Sequence, residues 1–405
     1  MEILTSFLQY LHLLFNSVFL LYFGLTAIYL LVFALASKFY KEKKTTQQKA
    51  RKYRVSVLLP AYKEDSVIIE SASEALKHKS LSADLQVVVI ADSLQTSTIE
   101  KMQKLGAIVL PVLFDKSTKA KSLNVALSFL PSDTDYVVIL DADNIMQLGF
   151  IDKIIGVIDQ GFRIVQGHRM AKNSNTQFAV LDGISEEINN SIFRKGHRVL
   201  GLSSALIGSG IISEFGLMKS LMAQITAIGG FDKELETMLL ERKITIGYAE
   251  NAMVLDEKIQ QADAFVNQRR RWLSAQFIFF NKNFKKAIRQ LFTSANFDLF
   301  DKISQFILPP RIISLGLTFM FAIMYAALCL LFPSPLINIL AIVWVIVFLV
   351  LLLSAIIAIP SKMFNIRLLK SLLTIPYGFI LMMKALLKLK GADKKFIHTK
   401  HGINS

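Results

Sequence analysis

Cysteine is all but absent: Cys329 is the only one among 405 residues, so no intrachain disulfide can form. A fold without disulfides suits a reducing compartment such as the cytoplasm. Acidic residues are also scarce, 31 Asp and Glu against 46 Lys and Arg. No G-x-x-x-x-G-K-[ST] stretch occurs, which excludes a P-loop nucleotide site. No His pair has zinc-site spacing, there is no Ser-His-Asp arrangement, and no nucleic-acid recognition motif accompanies the basic residues. The net charge of +15 is therefore assigned to the flanks of membrane segments, with no nucleic-acid partner.

Apolar residues are in excess. They make up 53% of the chain, with a mean hydropathy of +0.46, whereas soluble domains carry roughly 45–50%. Residues 11–36 read LHLLFNSVFLLYFGLTAIYLLVFALA, interrupted only by His12 and Asn16. Roughly 20 apolar residues cross a bilayer, so this is one span. A cleaved signal peptide would carry its positive charges first. Here Lys38, Lys41, Lys43, Lys44, Lys49, Arg51, Lys52 and Arg54 follow the span, which places the N-terminus outside and the chain from Lys38 onward in the cytoplasm. Residues 276–310 alternate Phe, Ile and Leu with Lys and Arg, as interfacial helices do, and end at Pro309-Pro310. Two more spans are expected at 312–332 and 337–359, separated by Pro333-Ser334-Pro335. The segment 368–389 carries Lys370, Pro376 and Lys384, and reads as an interfacial helix in preference to a fourth span. The expected division is a membrane helix (1–37), a cytoplasmic domain (38–275), interfacial helices (276–310), membrane or interfacial helices (311–390) and a basic cytoplasmic tail (391–405). The whole is a multi-pass protein of the cell membrane.

Between the spans the pattern is that of an α/β domain. Apolar runs rich in Val and Ile recur at 54–59, 85–90, 107–114, 136–140 and 163–167, with amphipathic stretches at 66–78, 96–105 and 120–129. Such alternation predicts a mostly parallel sheet covered on both faces. Ligands then bind beyond the carboxyl ends of the strands.

Those ends carry the chemistry. YVVILDADNIM delivers Asp141 and Asp143, and i, i+2 spacing on an extended chain puts both carboxylates on one side, where they can share a divalent ion. The run 55–65 ends in Pro60, Ala61, Tyr62, Lys63, Glu64 and Asp65; the next places Asp92 at its end. STKAKSLN then supplies Lys119, Lys121 and Asn124 at a helix opening. Gln166 and Arg169 follow the fifth strand and are expected to face the same edge, while His168 and His197 read as packed or surface histidines.

With these motifs in this order, residues 50–280 resemble the family 2 glycosyltransferases of GT-A fold, and among them the membrane-integrated branch of hyaluronan, chitin, cellulose and poly-N-acetylglucosamine synthases. The resemblance implies that Pro60, Tyr62, Glu64 and Asp92 contact the nucleotide, that Lys121 lies near its diphosphate, and that Asp141 and Asp143 bind Mg²⁺ or Mn²⁺ through a nucleotide-sugar, with Asp141 also in the nucleotide site. Gln268-Arg269-Arg270-Arg271-Trp272 fits the branch pattern Q-x-x-R-W. There Gln268, Arg271 and Trp272 would secure the diphosphate and the acceptor; a guanidinium suits a diphosphate and an indole a sugar ring. GGFDKELE at 229–236 stands where the family has an aromatic followed by Glu-Asp, and here the pair is Lys233-Glu234. The resemblance puts the general base on Glu234, with Asp232 next in line. Gly208 and Ser209 match a small-residue loop beneath the acceptor sugar.

The expected activity is inverting transfer of a sugar from a nucleotide-sugar, in the first place a UDP-sugar, to a polysaccharide or glycolipid hydroxyl at the cytoplasmic membrane face. Single addition to a lipid is the alternative, because three or four helices make a narrow secretion channel unless an oligomer or accessory subunit widens it. A nucleotide-sensing membrane protein without turnover is the reading from another class, motivated by the altered acidic pair.

Overall fold

A computed structural model describes residues 2–43 and 51–389 of the chain. The basic tail 391–405, together with Lys44 and Lys49, lies outside the described residues. The chain opens with a 36-residue helix, α1 (Glu2–Ser37). The α/β domain follows as β1 (Tyr53–Tyr62), α2 (Ile68–Leu76), β2 (Ala83–Asp92), α3 (Thr96–Lys104), β3 (Ile108–Val112), α4 (Lys119–Phe129), β4 (Tyr136–Ile139), β5 (Ile145–Met146), α5 (Phe150–Ile158) and β6 (Ile164–Ala171). Then α6 (Gln177–Asn189) runs directly into a π-helix (Asn190–Gly196) and α7 (His197–Val199). The domain closes with β7 (Ile211–Glu214), α8 (Phe215–Met222), α9 (Phe231–Glu241) and β8 (Gly247–Asp256). The remainder is helical: α10 (Ala262–Ser294), α11 (Phe297–Gln305), α12 (Arg311–Leu331), α13 (Pro335–Ala358), α14 (Ile366–Leu372) and α15 (Ile375–Leu387).

The eight strands form one sheet in the order β3-β2-β1-β4-β7-β6-β8-β5. β1 lies at the heart of its parallel part, paired with β2 and β4, and from Val55 to Ala61 reads as an apolar run broken only by Ser56, because both of its faces are covered. Its side chains alternate between two cores. Val55, Val57 and Leu59 pack with Ala72 of α2 and Ile154 of α5. Leu58 faces the opposite core, with Leu123 of α4 and Leu235 of α9. The sheet is more mixed than the apolar runs suggest: β7 is antiparallel to both β4 and β6, and β5 is antiparallel to β8. β8 had no counterpart among the expected strands, because Glu250 and Asn251 interrupt its apolar run; it pairs with β6 across an irregularity at Gly167 and His168.

α1 from Tyr10 to Ser37, α12 and α13 are each long and apolar enough to cross a membrane. The segment expected as a single helix at 368–389 is instead a bent pair, α14 and α15, meeting at 53°. Pro376 in the first turn of α15 explains the break, since proline cannot continue a helix from the preceding residues. The bundle core of α1, α12 and α13 is filled by aromatics: Trp344 is fully buried, stacked on Phe321 at 4.4 Å and tilted against Phe23 at 6.3 Å. His12 and Asn16, the polar interruptions of α1, are absorbed here, His12 by Tyr325 (2.7 Å) and Asn16 by the Trp344 indole N–H (3.3 Å).

The π-helix joins this bundle to the sheet. A side chain at Gly196 would overlap the Phe33 backbone, so only glycine lets α1 approach that closely. Ser191 donates to the Ala358 carbonyl at 2.6 Å, and Tyr29 donates to Asp301 at 2.8 Å beside buried His197. The boundary drawn at residue 275 falls inside α10, one uninterrupted helix of 33 residues that carries the Q-R-R-R-W segment.

Candidate functional site

The strand ends open into a cavity of about 700 Å³ that reaches from Pro60 and Asp92 to Phe193 and Phe306 at the root of the helical bundle. Of the residues singled out in the sequence, Pro60, Tyr62, Glu64, Asp92, Asp141, Asp143, Gly208, Asp232, Glu234, Gln268, Arg271 and Trp272 all line it. They come from β1, β2, the turns after β4 and before β7, α9 and α10, so the topology assembles what the sequence scatters.

On the strand-end wall, Tyr62 and Asp92 are register partners at the ends of β1 and β2. The residues just after them, Lys63 and Ser93, sit in the left-handed region at φ 56 and φ 58. Non-glycine residues held there are strained, and such strain gathers where a binding surface fixes the backbone. Asp92 is fully buried; Ser93 donates to its Oδ1 at 3.0 Å, while Oδ2 has no hydrogen-bond partner among the described residues.

The ladder of β4 stops at Ile139, so Asp141 and Asp143 lie on a turn, not on the extended chain that the i, i+2 argument assumed. Asp141 remains partly exposed to the cavity, while Asp143 is only 3% exposed. Asp143 accepts from the Glu257 N–H at 3.0 Å and from the Asn144 amide at 3.1 Å, and the same amide reaches Asp256 at 3.1 Å. Ser209 is buried behind the turn: it accepts from the Asp141 N–H at 3.0 Å and donates to Asn144. It supports the aspartates and does not line the cavity. Gln166 is likewise buried, holding the same loop through the Ser209 carbonyl (2.8 Å) and the Ile207 N–H (3.1 Å).

Two lysines exchange places relative to expectation. Thr118 caps α4 by accepting from the Lys121 N–H, which fixes the first turn and aims Lys119 into the cavity. The Lys119 ammonium pairs with Asp141 and donates to the Gly208 carbonyl at 2.7 Å. Lys121 points away, donating to the Lys116 carbonyl at 2.9 Å, and is not part of the wall. Gly208, at φ +79, lies so close to α9 that a Cβ would stand 3.7 Å from that of Asp232. Asp232 is therefore beside the Lys119–Asp141 pair, with Lys233 as its ionic neighbour at 3.3 Å. Burial works against the charge of Lys233, but Asp232 and Glu236 outweigh it and raise its pKa. Glu234 is engaged elsewhere: it accepts from the Thr226 and Ala227 N–H groups (3.1 and 2.9 Å) and from Lys282 at 2.9 Å.

A buried charge network lies where β6 and the end of β8 meet α6 and the π-helix. Glu186 is shared by Arg169 (2.9 Å), Arg194 (3.2 Å) and Lys258 (3.7 Å), and Asp256 by Lys258 (2.7 Å) and Arg169 (3.7 Å). Burial alone would raise the Glu186 carboxyl, but Arg169, Lys258 and Arg194 hold it well below the ordinary value. Asp256 is lowered against its burial by Arg169 and Lys258. His168, the histidine read as packed or surface, is packed, with Glu187 at 3.0 Å. On α10, Arg269 pairs with Asp182 and lies over the Trp272 ring at 4.3 Å, which fixes the partly exposed indole at the cavity wall. Burial pulls the Arg271 guanidinium below its usual pKa.

Sequence reasoning missed Asn144, Asp256, Lys258, Glu186 and Arg194. The strand-end rule would have found Asp256 and Lys258 had β8 been recognised. Glu186 and Arg194 stand eight residues apart across the junction of α6 with the π-helix, where the 3.6-residue period fails, and left no signal.

The aspartate turn offers oxygen donors suited to Mg²⁺ or Mn²⁺, which take few protein carboxylates and fill the remaining positions with water or phosphate. Among the described residues no group of three or more His, Cys, Asp or Glu side chains forms a self-sufficient metal cage. The fit is to an ion held jointly with an anionic ligand.

A family model described as glycosyltransferase like family 2 matches residues 52–275. Among solved structures, a mannosyltransferase from Pyrobaculum calidifontis, in complex with GDP-Man and Mn²⁺, shares 13% identity over 84% of this chain and 99% of its own, with a TM-score of 0.49. The glucosyl-3-phosphoglycerate synthase of Mycobacterium tuberculosis, in complex with Mn²⁺, UDP and phosphoglyceric acid, shares 18% identity over 56% of this chain and 79% of its own, with a TM-score of 0.41. No curated protein matches the sequence.

Proposed function

The chain belongs to the family 2-like glycosyltransferases, a GT-A group of enzymes, and from that premise we propose its reaction. It is an inverting, metal-dependent transferase that moves a sugar from a nucleotide-sugar, in the first place a UDP-sugar, to a membrane-borne acceptor at the cytoplasmic face. The observation that supports this best is the single cavity in which the nucleotide-type residues Tyr62, Glu64 and Asp92, the aspartate turn, Asp232 and Trp272 all meet. Asp92, buried with one oxygen unpartnered among the described residues, suits an N–H or O–H donor from the nucleotide. Asp141 and Asp143 would hold Mg²⁺ or Mn²⁺, whose chemistry is to neutralise the diphosphate leaving group. Lys119 adds a positive charge at the same place, and Trp272 offers a flat apolar face to the acceptor.

In the transfer, an acceptor oxygen attacks the anomeric carbon and the carbon–oxygen bond to the diphosphate breaks. The nucleoside diphosphate leaves with the electron pair, and the acceptor proton goes to a carboxylate. Glu234 already accepts from two backbone N–H groups and Lys282, which hold its carboxylate to the 226–227 loop and away from the Lys119–Asp141 pair. Asp232, next to Gly208 and the Lys119–Asp141 pair, is the better-placed base. The anchor is α1, α12 and α13, with α10 and α11 at the interface. Their aromatic-filled core favours single addition to a lipid over secretion of a polymer through one copy of the chain.

The test is Mn²⁺-dependent release of nucleoside diphosphate by the full-length protein in detergent, against a panel of UDP- and GDP-sugars. Turnover with one donor that is lost in Asp143→Asn supports the reading. Tight nucleotide binding without turnover, in the presence of membrane lipid extract, would favour the sensing role instead.

A further inference from the structure

Asp232, the proposed base, has one side-chain partner among the described residues: the Lys233 ammonium, 3.3 Å from its Oδ2. Both residues lie in the first turn of α9 and both line the cavity. The turn opens at Gly230, in the left-handed region at φ 74, and the Lys233 N–H donates to the Gly230 carbonyl at 3.0 Å. A Cβ at Gly230 would stand 3.0 Å from that of Ala275, so the backbone of this turn is seated closely against α10. The backbone is fixed by packing, and the carboxylate is fixed by Lys233.

Lys233 also reaches across to the loop before β7. Its ammonium donates to the Leu206 carbonyl at 3.5 Å, while the Leu206 N–H donates to Glu236 at 3.1 Å. An ammonium carries three N–H donors, so one side chain can serve both the carboxylate and the loop. α9 thereby grips Leu206 by both of its backbone groups. Glu236 is fully buried one helical turn beyond Lys233, and Lys302 of α11 holds it at 2.9 Å. Two residues further along the same loop, the Gly208 carbonyl accepts from Lys119 at 2.7 Å, and Ser209 accepts from the Asp141 N–H at 3.0 Å. The loop is therefore the spacer between Asp232 and the aspartate turn, and Lys233 is the side chain that touches both the carboxylate and the spacer.

Resting on the transferase reading with Asp232 as its base, we propose that Lys233 is a positioning residue of the transfer. Its ammonium holds Oδ2 of Asp232 against the 206–209 loop and leaves Oδ1 to take the acceptor proton. The carboxylate then keeps one rotamer at one distance from the aspartate turn, where the leaving diphosphate is held. Reacting groups tolerate little slack: a misplacement of about 1 Å costs about a hundredfold in rate. Lys233 acts on the rate through Asp232 and not on donor affinity, since the nucleotide-type residues Tyr62, Glu64 and Asp92 belong to other elements.

The test removes the ammonium and rebuilds it chemically. Cys329→Ser takes away the one native cysteine and serves as the parent. In that full-length parent, Lys233→Cys is assayed for Mn²⁺-dependent release of nucleoside diphosphate with membrane lipid extract, before and after alkylation by 2-bromoethylamine. The alkylation restores a lysine-like side chain, and the Lys233 position is open to the reagent because its side chain is 23% exposed on the cavity; mass spectrometry reports its extent. Lys233→Cys and Lys233→Met should lower kcat about tenfold to a hundredfold with the donor KM within about twofold. Aminoethylation of the cysteine should return kcat to within about threefold of the parent. An unchanged kcat in both variants overturns the proposal. A raised donor KM in place of a lowered kcat overturns it in favour of donor binding, and loss of nucleotide binding that complete aminoethylation fails to recover overturns it in favour of a purely structural role. Asp232→Asn and the parent test the reading beneath. If Asp232→Asn turns over as the parent does, the base assignment falls and takes Lys233 along; if the parent turns over no donor, the transferase reading falls as well.

Discussion

The two walls of the cavity are built on opposite plans. The strand-end wall is made of short contiguous segments: a few residues after β1, β2 and β4, held by turns, a helix cap and strained backbone at Lys63 and Ser93. The ion-paired wall is made of single side chains from residues 169, 182, 186, 194, 256 and 258, contributed by β6, the end of β8, α6 and the π-helix, joined by buried ion pairs and backed by Arg269 of α10. In the first, chemistry is local and can be removed without unmaking the fold. In the second, the groups that would bind a ligand are also those that hold the domain to its helices, so function and stability change together.

The sharpest way to break this comparison is at α9, where the two plans meet. Asp232→Asn should lower turnover by about two to four orders of magnitude, the usual worth of a general base, with only a modest fall in melting temperature from the lost Lys233 ion pair. Glu234→Gln should do the reverse: a lower melting temperature, since it ties the 226–227 loop to Lys282, and turnover within about tenfold of wild type. Exchange of the two phenotypes would return the base to Glu234. Next in size is Glu186→Ala, which leaves three cations without their shared partner and should cost about 3–5 kcal/mol in chemical denaturation. The pH dependence has a defined sign. Because the Glu186 carboxyl titrates well below its ordinary 4.5 in the folded state, the network stabilises the fold above that value and loses its contribution as pH falls through the lowered one. Wild type should therefore lose stability on acidification below about pH 4.5, and Glu186→Gln should flatten that slope. The smallest effect separates the lysines. Lys119→Ala should weaken nucleotide-sugar binding about tenfold, as loss of one charge-assisted contact does, and Lys121→Ala by less than twofold.

The same contrast explains what could be read from the sequence. The α/β class, five of the eight strands and the long apolar helices were legible, because each is written in a local period or run. Pro60, Asp92, Asp141 and Asp143 were singled out by the rule that ligands meet strand ends, and Gln268, Arg271 and Trp272 by resemblance to the branch pattern Q-x-x-R-W; all of them line the cavity. What failed was orientation. Lys119 and Lys121 differ only in which side of a helix opening they occupy, and the Thr118 cap decides it. Glu234 and Asp232 are two residues apart on one turn, and the 226–227 loop claims the former. The ion-paired wall was almost illegible, since pairs such as Arg169 with Asp256 or Asp182 with Arg269 meet only after folding.

One feature of α10 has a mechanical meaning. It runs unbroken from Ala262 to Ser294, and touches the cavity both at Trp272 and, ten residues on, at Lys282, the partner of Glu234. A helix rises about 1.5 Å per residue, so the indole and the loop clamp are held about 15 Å apart on one stiff rod. The two cannot move independently. On the proposed reading, an acceptor pressing on Trp272 would tilt the rod and with it the 226–227 loop, so occupancy at one end would be felt as displacement at the other. A single residue inserted between them would turn one contact about 100° away from the other and uncouple the pair.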